Sequence, residues 1–187
     1  MRESGTIKLR DKIEVNQRKN SIALLDFAKS KIKIKGKFVD IGCSDGWAIE
    51  YIEKNFDTKG VGVSIDERDI IECGKYGISV IKADMQDLTD VIDDNELDFV
   101  YCRHTLEHVF NLIDAIKEMF RIIKPGGKVI LSVPEYCEKY LHCESHVFVM
   151  PPACWFKLFR MLGFWVVNYT CVIGLETEYA FILEKKK

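Results

Sequence analysis

A doubly wound α/β fold is what this 187-residue sequence predicts, with a mostly parallel seven-stranded sheet closed by a C-terminal antiparallel hairpin. Three observations carry that expectation. Short β-branched runs alternate with stretches of helical spacing through the middle of the chain, a glycine-rich turn follows the first run, and the last two runs succeed one another with no helix between them. Parallel neighbours need a crossover helix, whereas two strands joined by a short turn pair antiparallel.

Residues 16–32 carry Ile22, Leu24, Leu25, Ala28 and Ile32 at helical spacing, so a helix should precede the first strand. Strands are then expected at 37–42, 60–65, 79–83, 97–102 and 128–133, with helices at 47–56, 67–76, 88–93 and 112–123 between them. An irregular stretch, 134–152, leads to a helix over 153–162 that Gly163 ends. Strands at 165–172 and 178–183 complete the sheet, joined by a turn containing Gly174.

The chain reads as one domain, 1–187, with a basic arm and helix at 1–36. Apolar residues make up 48% and charged residues 30%, which excludes disorder and coiled coil. The charge-free stretches 129–134 and 145–156 fall well short of the ~18 apolar residues of a membrane span. Residues 1–11 alternate charges where a secretory signal would be apolar, so a soluble, cytoplasmic protein is expected. Seven scattered cysteines, an odd number, suit reduced thiols in such a compartment. Residues 1–37 hold 11 Lys and Arg against 4 Asp and Glu, a charge of +7 against −9 for the rest. That imbalance admits a nucleic-acid partner. It is not the favoured reading, because Phe27 is the one aromatic residue among those charges and a solvated Lys-rich helix explains them.

Ligands of open α/β sheets bind beyond the carboxyl ends of the strands, which directs attention to the turn Asp40-Ile-Gly42-Cys43-Ser44-Asp-Gly46. Gly42 and Gly46 allow a tight turn and close backbone approach, and a helix starting near Trp47 offers free N–H groups to a carboxylate or phosphate. The spacing is not the G-x-G-x-x-G of a dinucleotide site, and no Gly-Lys-Ser/Thr of a P-loop follows. Asp40 would repel a pyrophosphate but could hold an ammonium. A ligand carrying carboxylate and ammonium on one carbon is an amino acid.

These residues resemble the first motif of the class I S-adenosylmethionine-dependent methyltransferases, and within them the methyltransferase domain of type 11. The resemblance runs from about Phe38 to Glu184 and implies a Rossmann-like fold with S-adenosylmethionine as cofactor and S-adenosylhomocysteine as product. Ser44 stands where the family usually has glycine. Val61-Gly-Val-Ser64-Ile65-Asp66 is similar to the second-strand motif, whose acid holds the ribose hydroxyls; the usual acidic position aligns with Ser64 and an acid comes at Asp66, so either residue could make that contact. Ala83-Asp84-Met85 is similar to the third-strand motif that meets the adenine. Leu97-Asp-Phe-Val-Tyr-Cys-Arg103-His104-Thr-Leu-Glu-His108-Val109 and Arg121-Ile-Ile-Lys-Pro-Gly-Gly-Lys are further hallmarks. The resemblance thus implies cofactor contacts from Asp40, Gly42, Cys43, Ser44, Gly46, Ser64, Ile65, Asp66, Asp84, Met85 and Arg103. It places His104 beside the transferred methyl group, as a general base, a substrate-orienting group or a loop histidine.

Two metal patterns compete with that reading. His104-Thr-Leu-Glu107-His108 matches H-x-x-E-H, but it begins at a strand end and lacks a third ligand in a following helix. Cys137, His142, Cys143 and His146 fit no finger spacing, so no metal is expected, and Tyr136, Tyr140, His142 and His146 read as lining or rim of a substrate pocket. The aromatic run from Trp155 to Trp165 reads as core.

Methyl transfer is an in-line displacement that needs positioning and exclusion of water, with a base only for a hydroxyl or a protonated amine. No Asn/Asp-Pro-Pro-aromatic sequence follows the fourth strand, which leans the expectation towards O- or C-methylation of a small molecule. The alternatives are an RNA or protein methyltransferase and a non-catalytic, cofactor-binding partner subunit. The stretch 134–152 is the expected cover on the substrate side.

Overall fold

The computed structural model describes residues 3–172 and 177–186, with side chains from Val15 onward. The elements in order are α1 (Glu3–Lys29), β1 (Lys35–Ile41), α2 (Trp47–Asn55), β2 (Asp57–Ser64), α3 (Glu67–Lys75) and β3 (Val80–Lys82). Then come β4 (Leu97–Arg103), a 3-10 turn at Leu106–His108, α4 (Leu112–Ile122), β5 (Ile123–Pro134), α5 (Glu138–Leu141), α6 (Pro152–Met161), β6 (Phe164–Val172) and β7 (Glu178–Lys185).

The seven strands lie in the order β3-β2-β1-β4-β5-β7-β6. The first five are parallel, and β7 runs antiparallel to both β5 and β6. The chain steps outward one way through β1, β2 and β3 and the other way through β4 and β5, so the order reverses between β1 and β4. In open sheets of this kind the ligand cleft lies at that point, outside the carboxyl ends of the strands.

Alternation along the strands feeds two cores. Val39, Ile41, Val100, Cys102, Val129 and Leu131 face Ile116 and Met119 of α4 and Trp155 and Phe159 of α6. The intervening Phe38, Phe99, Tyr101 and Ile130 face Leu24, Leu25 and Ala28 of α1 and Ile49 and Ile52 of α2. The N-terminal helix is thereby docked on the sheet, its apolar stripe buried and Lys29 and Lys31 left exposed.

Stretch 88–93 is not a helix, although Leu88 and Ile92 are buried at the i, i+4 spacing that predicts one. One turn closes, from the amides of Val91 and Ile92 to the carbonyl of Leu88. Its neighbours bond locally instead: Asp87 accepts from the amide of Thr89, Glu96 from that of Asp93, and Glu118 of α4 from that of Leu88. Short polar side chains that satisfy nearby backbone compete with helix formation. The expected turn at Gly174 lies outside the described residues; the strands it would join are antiparallel, as the hairpin requires. Gly126, at φ 86°, takes the left-handed position of the turn that loops out 124–127 before the main run of β5.

Gly60 sits opposite Phe38 in the β1–β2 register, and a Cβ there would overlap the Phe38 ring, which stacks on Phe99 with centroids 4.8 Å apart. Gly60→Ala is therefore expected to destabilise the fold by about 1–3 kcal/mol in urea unfolding. A Cβ added at Gly74 in α3 would have nothing within 4 Å, so Gly74→Ala should be neutral or stabilising by up to about 1 kcal/mol.

Candidate active site

The turn after β1 is shaped by conformations few residues adopt. Gly42 and Gly46 both have φ 78°, and Ser44 between them has φ 49°. A Cβ on Gly42 would overlap Thr105, whose hydroxyl donates to the carbonyl of Ile41 at 3.0 Å, so the loop after β4 is pressed against the loop after β1. A Cβ on Gly46 would meet Ile78 and Cys73. Asp45 accepts from the amide of Trp47 at 3.1 Å and pairs with Arg18 of α1 at 2.9 Å, while Arg18 also lies over the Trp47 ring. Cys43 is buried beneath the turn, and burial pushes its thiol up.

Asp40 ends up 2% exposed at the head of this turn. Burial first, then the charge of Asp45, pushes its carboxyl up to about 7, with Arg103 opposing. A buried acid held that far above its ordinary range is suited to a cationic ligand group.

At the end of β2 the two candidate residues have separate duties. The Ser64 hydroxyl is buried, accepts from the amide of Asp66 at 3.0 Å and donates to Asp69 Oδ2 at 2.7 Å. Asp66 caps α3 by accepting from the amide of Arg68, and it also pairs with the Arg68 guanidinium; those bonds hold its carboxyl down to about 2. The acid brought to the strand end is thus Asp69, which sequence reading missed. Its one sequence signal is the Asp66-x-x-Asp69 spacing of a capping box, in which the third helical residue reaches back towards the strand. Ile65 stands 69% exposed beside it. Across the cleft, Asp84 is exposed and accepts from the Gln86 amide and side chain, and Met85 is buried.

His104 ends β4 in the left-handed region, at φ 51°, with its amide bonded to the carbonyl of Ser132. Its ring lies between two fully buried carboxylates, Nε2 at 2.8 Å from Glu178 Oε2 and Nδ1 at 3.4 Å from Glu107 Oε1. Glu178, the first residue of β7, also accepts from the Ser132 hydroxyl and pairs with Arg103 at 3.2 Å. Burial drives Glu178 up, but the His104 bond, the Arg103 and His104 charges and the Ser132 hydroxyl outweigh it and bring its carboxyl to about 2. Arg103, expected at the cofactor, is engaged with Glu178 instead, and no sequence pattern links positions 75 apart.

Neither metal pattern is assembled as written. His142 is exposed and pairs with Glu138, and the Cys143 thiol contacts the Ser145 hydroxyl. Among the described residues, the His, Cys, Asp and Glu side chains that converge as a possible ligand set are Glu107, His108 and His146, drawn from both patterns. Tyr136 is half exposed, whereas Tyr140 is buried and stacked on His146.

With this geometry in place, the model of the family described as methyltransferase domain matches residues 39–131. That domain, 39–131, and the fold around it are those of a class I S-adenosylmethionine-dependent methyltransferase. The phosphoethanolamine N-methyltransferase of Triticum aestivum is 28% identical over 123 residues, which are 64% of this chain and 23% of that protein. The sterol 24-C-methyltransferase of Aspergillus fumigatus is 31% identical over 51% of this chain and 27% of its own length. This chain thus spans about a quarter of the curated relatives it matches. Among solved structures, a complex between the Haloferax volcanii Trm112 methyltransferase activator and a methyltransferase superposes with TM-score 0.78 at 17% identity, covering 91% of each chain. The strand order and the turn after β1 are those of this methyltransferase fold, whose cofactor is S-adenosylmethionine. The residues present fit that cofactor: a glycine cradle too tight for a Cβ and a buried acid above it.

Glu178→Gln should cost about 3–5 kcal/mol at pH 7, because it leaves the Arg103 guanidinium and His104 beside an uncharged partner. A depressed folded pKa gives stability that is full above about 4.5 and lost as pH falls towards 2. The difference between wild type and variant in urea midpoints should therefore shrink below pH 4.5, and an equal difference at pH 3 and pH 7 would contradict the buried ion pair.

Proposed function

We propose that this chain is a methyltransferase acting on a small-molecule acceptor, with O- or C-methylation favoured. The observation that carries the reading is the buried Asp40 carboxylate above the Gly42–Gly46 cradle at the point where strand order reverses. Bound in the cleft, S-adenosylmethionine supplies an activated methyl group on a sulfonium. Asp40 and the free N–H groups at the start of α2 would hold the amino-acid end of the cofactor. Asp69, bridged through the Ser64 hydroxyl, would accept from the ribose in place of an acid on β2. Exposed Ile65 would cover one face of the adenine and Asp84 would meet its amino group.

His104 is the residue we assign to proton handling. Glu178 fixes Nε2 and thereby the ring's orientation, as a carboxylate does in an acid–base pair, which leaves Nδ1 to exchange a proton. The stretch 134–152 packs over this end of the sheet, with the amides of Val147 and Phe148 bonded to the Glu107 carbonyl, and would close the acceptor side against water. The named relatives act on phosphoethanolamine and on a sterol, both small molecules, which supports the acceptor class.

Calorimetric titration with S-adenosylmethionine and S-adenosylhomocysteine tests the reading. Binding should be lost or weakened at least ~10-fold in Asp40→Asn and in Asp69→Asn, and unchanged in Asp66→Asn. Absence of binding in the wild type would withdraw the proposal. Because Asp40 ionises near 7, affinity for the cofactor's ammonium should rise as pH climbs through 7 and be flat with pH in Asp40→Asn. Stability should move the opposite way. A folded pKa raised above 3.8 makes the wild type lose stability, relative to Asp40→Asn, as pH rises from about 4 to about 7.

A further inference from the structure

Glu107 is a fully buried carboxylate whose two oxygens have no hydrogen-bond partner. Such a group costs several kcal/mol unless something compensates it. Burial drives its pKa up, and the charges of His104, His108 and Arg103 around it oppose that rise. The 3-10 turn that carries it places His108 next along the chain, with Nε2 3.8 Å from Glu107 Oε1. His108 Nδ1 lies 2.8 Å from the Ser145 carbonyl, an acceptor that fixes the proton on Nδ1 and leaves the Nε2 lone pair turned to Glu107. That arrangement, in which one imidazole nitrogen donates to a carbonyl while the other is held bare, is the usual setting of a metal-ligating histidine. The chain between Cys143 and Phe148 folds back onto the turn, and it brings in His146, whose ring meets His108 edge-on at 5.0 Å. One ligand atom from each of Glu107, His108 and His146 lies within 4.8 Å of the other two.

We infer that Glu107, His108 and His146 form a binding site for one divalent first-row transition metal ion of the zinc type. Two imidazoles and a carboxylate are a borderline N/O donor set suited to such an ion, and three protein ligands leave at least one coordination position open. His108 is about two-fifths exposed, which gives an entry path from solvent. His104 Nδ1 is 3.4 Å from the same Glu107 oxygen, so an open position on its side would face the acceptor. An oxygen of the acceptor bound there would be polarised next to the group assigned to take its proton. The inference goes beyond the methyltransferase reading and stands apart from it, because the ligands are not those assigned to the cofactor.

The test is made on tag-free protein stripped with chelator. Zinc affinity is measured by competition with a chromophoric chelator, and metal content by elemental mass spectrometry after dialysis against equimolar zinc, manganese and magnesium. One equivalent of zinc is expected. Removing an outer partner of a metal ligand costs about 10–100-fold in affinity, so removing a ligand should cost more. Glu107→Gln, His108→Ala and His146→Ala should each weaken zinc binding by more than about 100-fold. Cys137→Ser, Cys143→Ser and His142→Ala should not change it. Thermal melts of every variant guard against misfolding, and His146→Ala, on the 142–150 stretch outside the sheet, serves if Glu107→Gln does not fold. Stoichiometric zinc that survives His146→Ala and His108→Ala, zinc lost in the cysteine variants, or no zinc in the wild type would each overturn the site. Parallel titration with S-adenosylmethionine keeps this outcome separate from that of the proposed function.

Discussion

The C-terminal antiparallel pair, laddered to β5 along its length, meets the carboxyl ends of β4 and β5 at one buried anion. Glu178 begins β7 with no exposure, and its two oxygens collect Arg103 and His104 from the end of β4 and Ser132 from β5. Three strands therefore converge on a single carboxylate, which must stay ionised for the arrangement to persist. A charge in that position would be prohibitive alone and is tolerable because a cation, an imidazole and a hydroxyl surround it. The ring of His104, with its backbone in the left-handed region, is oriented as a consequence. So the position of β7, an element remote in sequence, decides where the side chain at the end of β4 can act.

Three buried acids lie along this edge, and their environments push them apart. Glu178 is compensated and held low, whereas at Asp40 and Glu107 burial outweighs the opposing charges and pushes the carboxyls up. The difference matters, because an uncompensated buried carboxylate is a cost to the fold that a ligand can offset. Asp40 lies above the glycine cradle, where an ammonium would complete it, and Glu107 faces two imidazoles, where a cation would complete it. The architecture thus carries its strain at the places where ligands are expected, and its satisfied pairs, such as Arg121 with Glu118 and Asp94, stand away from the cleft.

The sheet was legible in the sequence because short, nearly continuous apolar runs such as 38–41 and 129–133 are covered by helices on both faces, so that burial keeps successive residues apolar. The glycine cradle and Asp40 were legible because they are contiguous. Asp69 was not, since the acid sits on a helix and is recruited by a serine on the preceding strand, a contact that requires knowing how α3 leaves β2. Stretch 88–93 misled for the opposite reason. Its two buried residues have helical spacing, but the side chains of Asp87 and Glu96 accept from the nearby amides of Thr89 and Asp93 and so satisfy the backbone locally. Glu178 could not be read at all, because its partner His104 lies 74 residues away, and His146 was read only with its neighbours Cys137, His142 and Cys143, because its approach to His108 depends on how the loop folds back.

The match to the family model ends at residue 131, and what lies beyond it is what distinguishes this chain. Up to that point are Asp40, Ser64, Asp69, Asp84, His104, Glu107 and His108; beyond it are Ser132, His146 and Glu178. Within the first set, Asp40, Ser64, Asp69 and Asp84 are the residues proposed to hold the cofactor, and such a site can be shared at under a third identity with relatives named for unlike acceptors because a glycine turn and strand-end acids suffice. The second set decides how the shared residues behave. Glu178 orients His104, and His146 approaches Glu107 because the amides of Val147 and Phe148 are pinned to the Glu107 carbonyl. Changes in the 134–152 segment would therefore alter the surroundings of Glu107 and His108 without disturbing the glycine cradle, whose walls are Thr105, Ile78 and Cys73. A fold arranged in this way can exchange one substrate for another while its cofactor site stays unchanged, which is the physical reason that the acceptor is the last property a sequence of this family discloses.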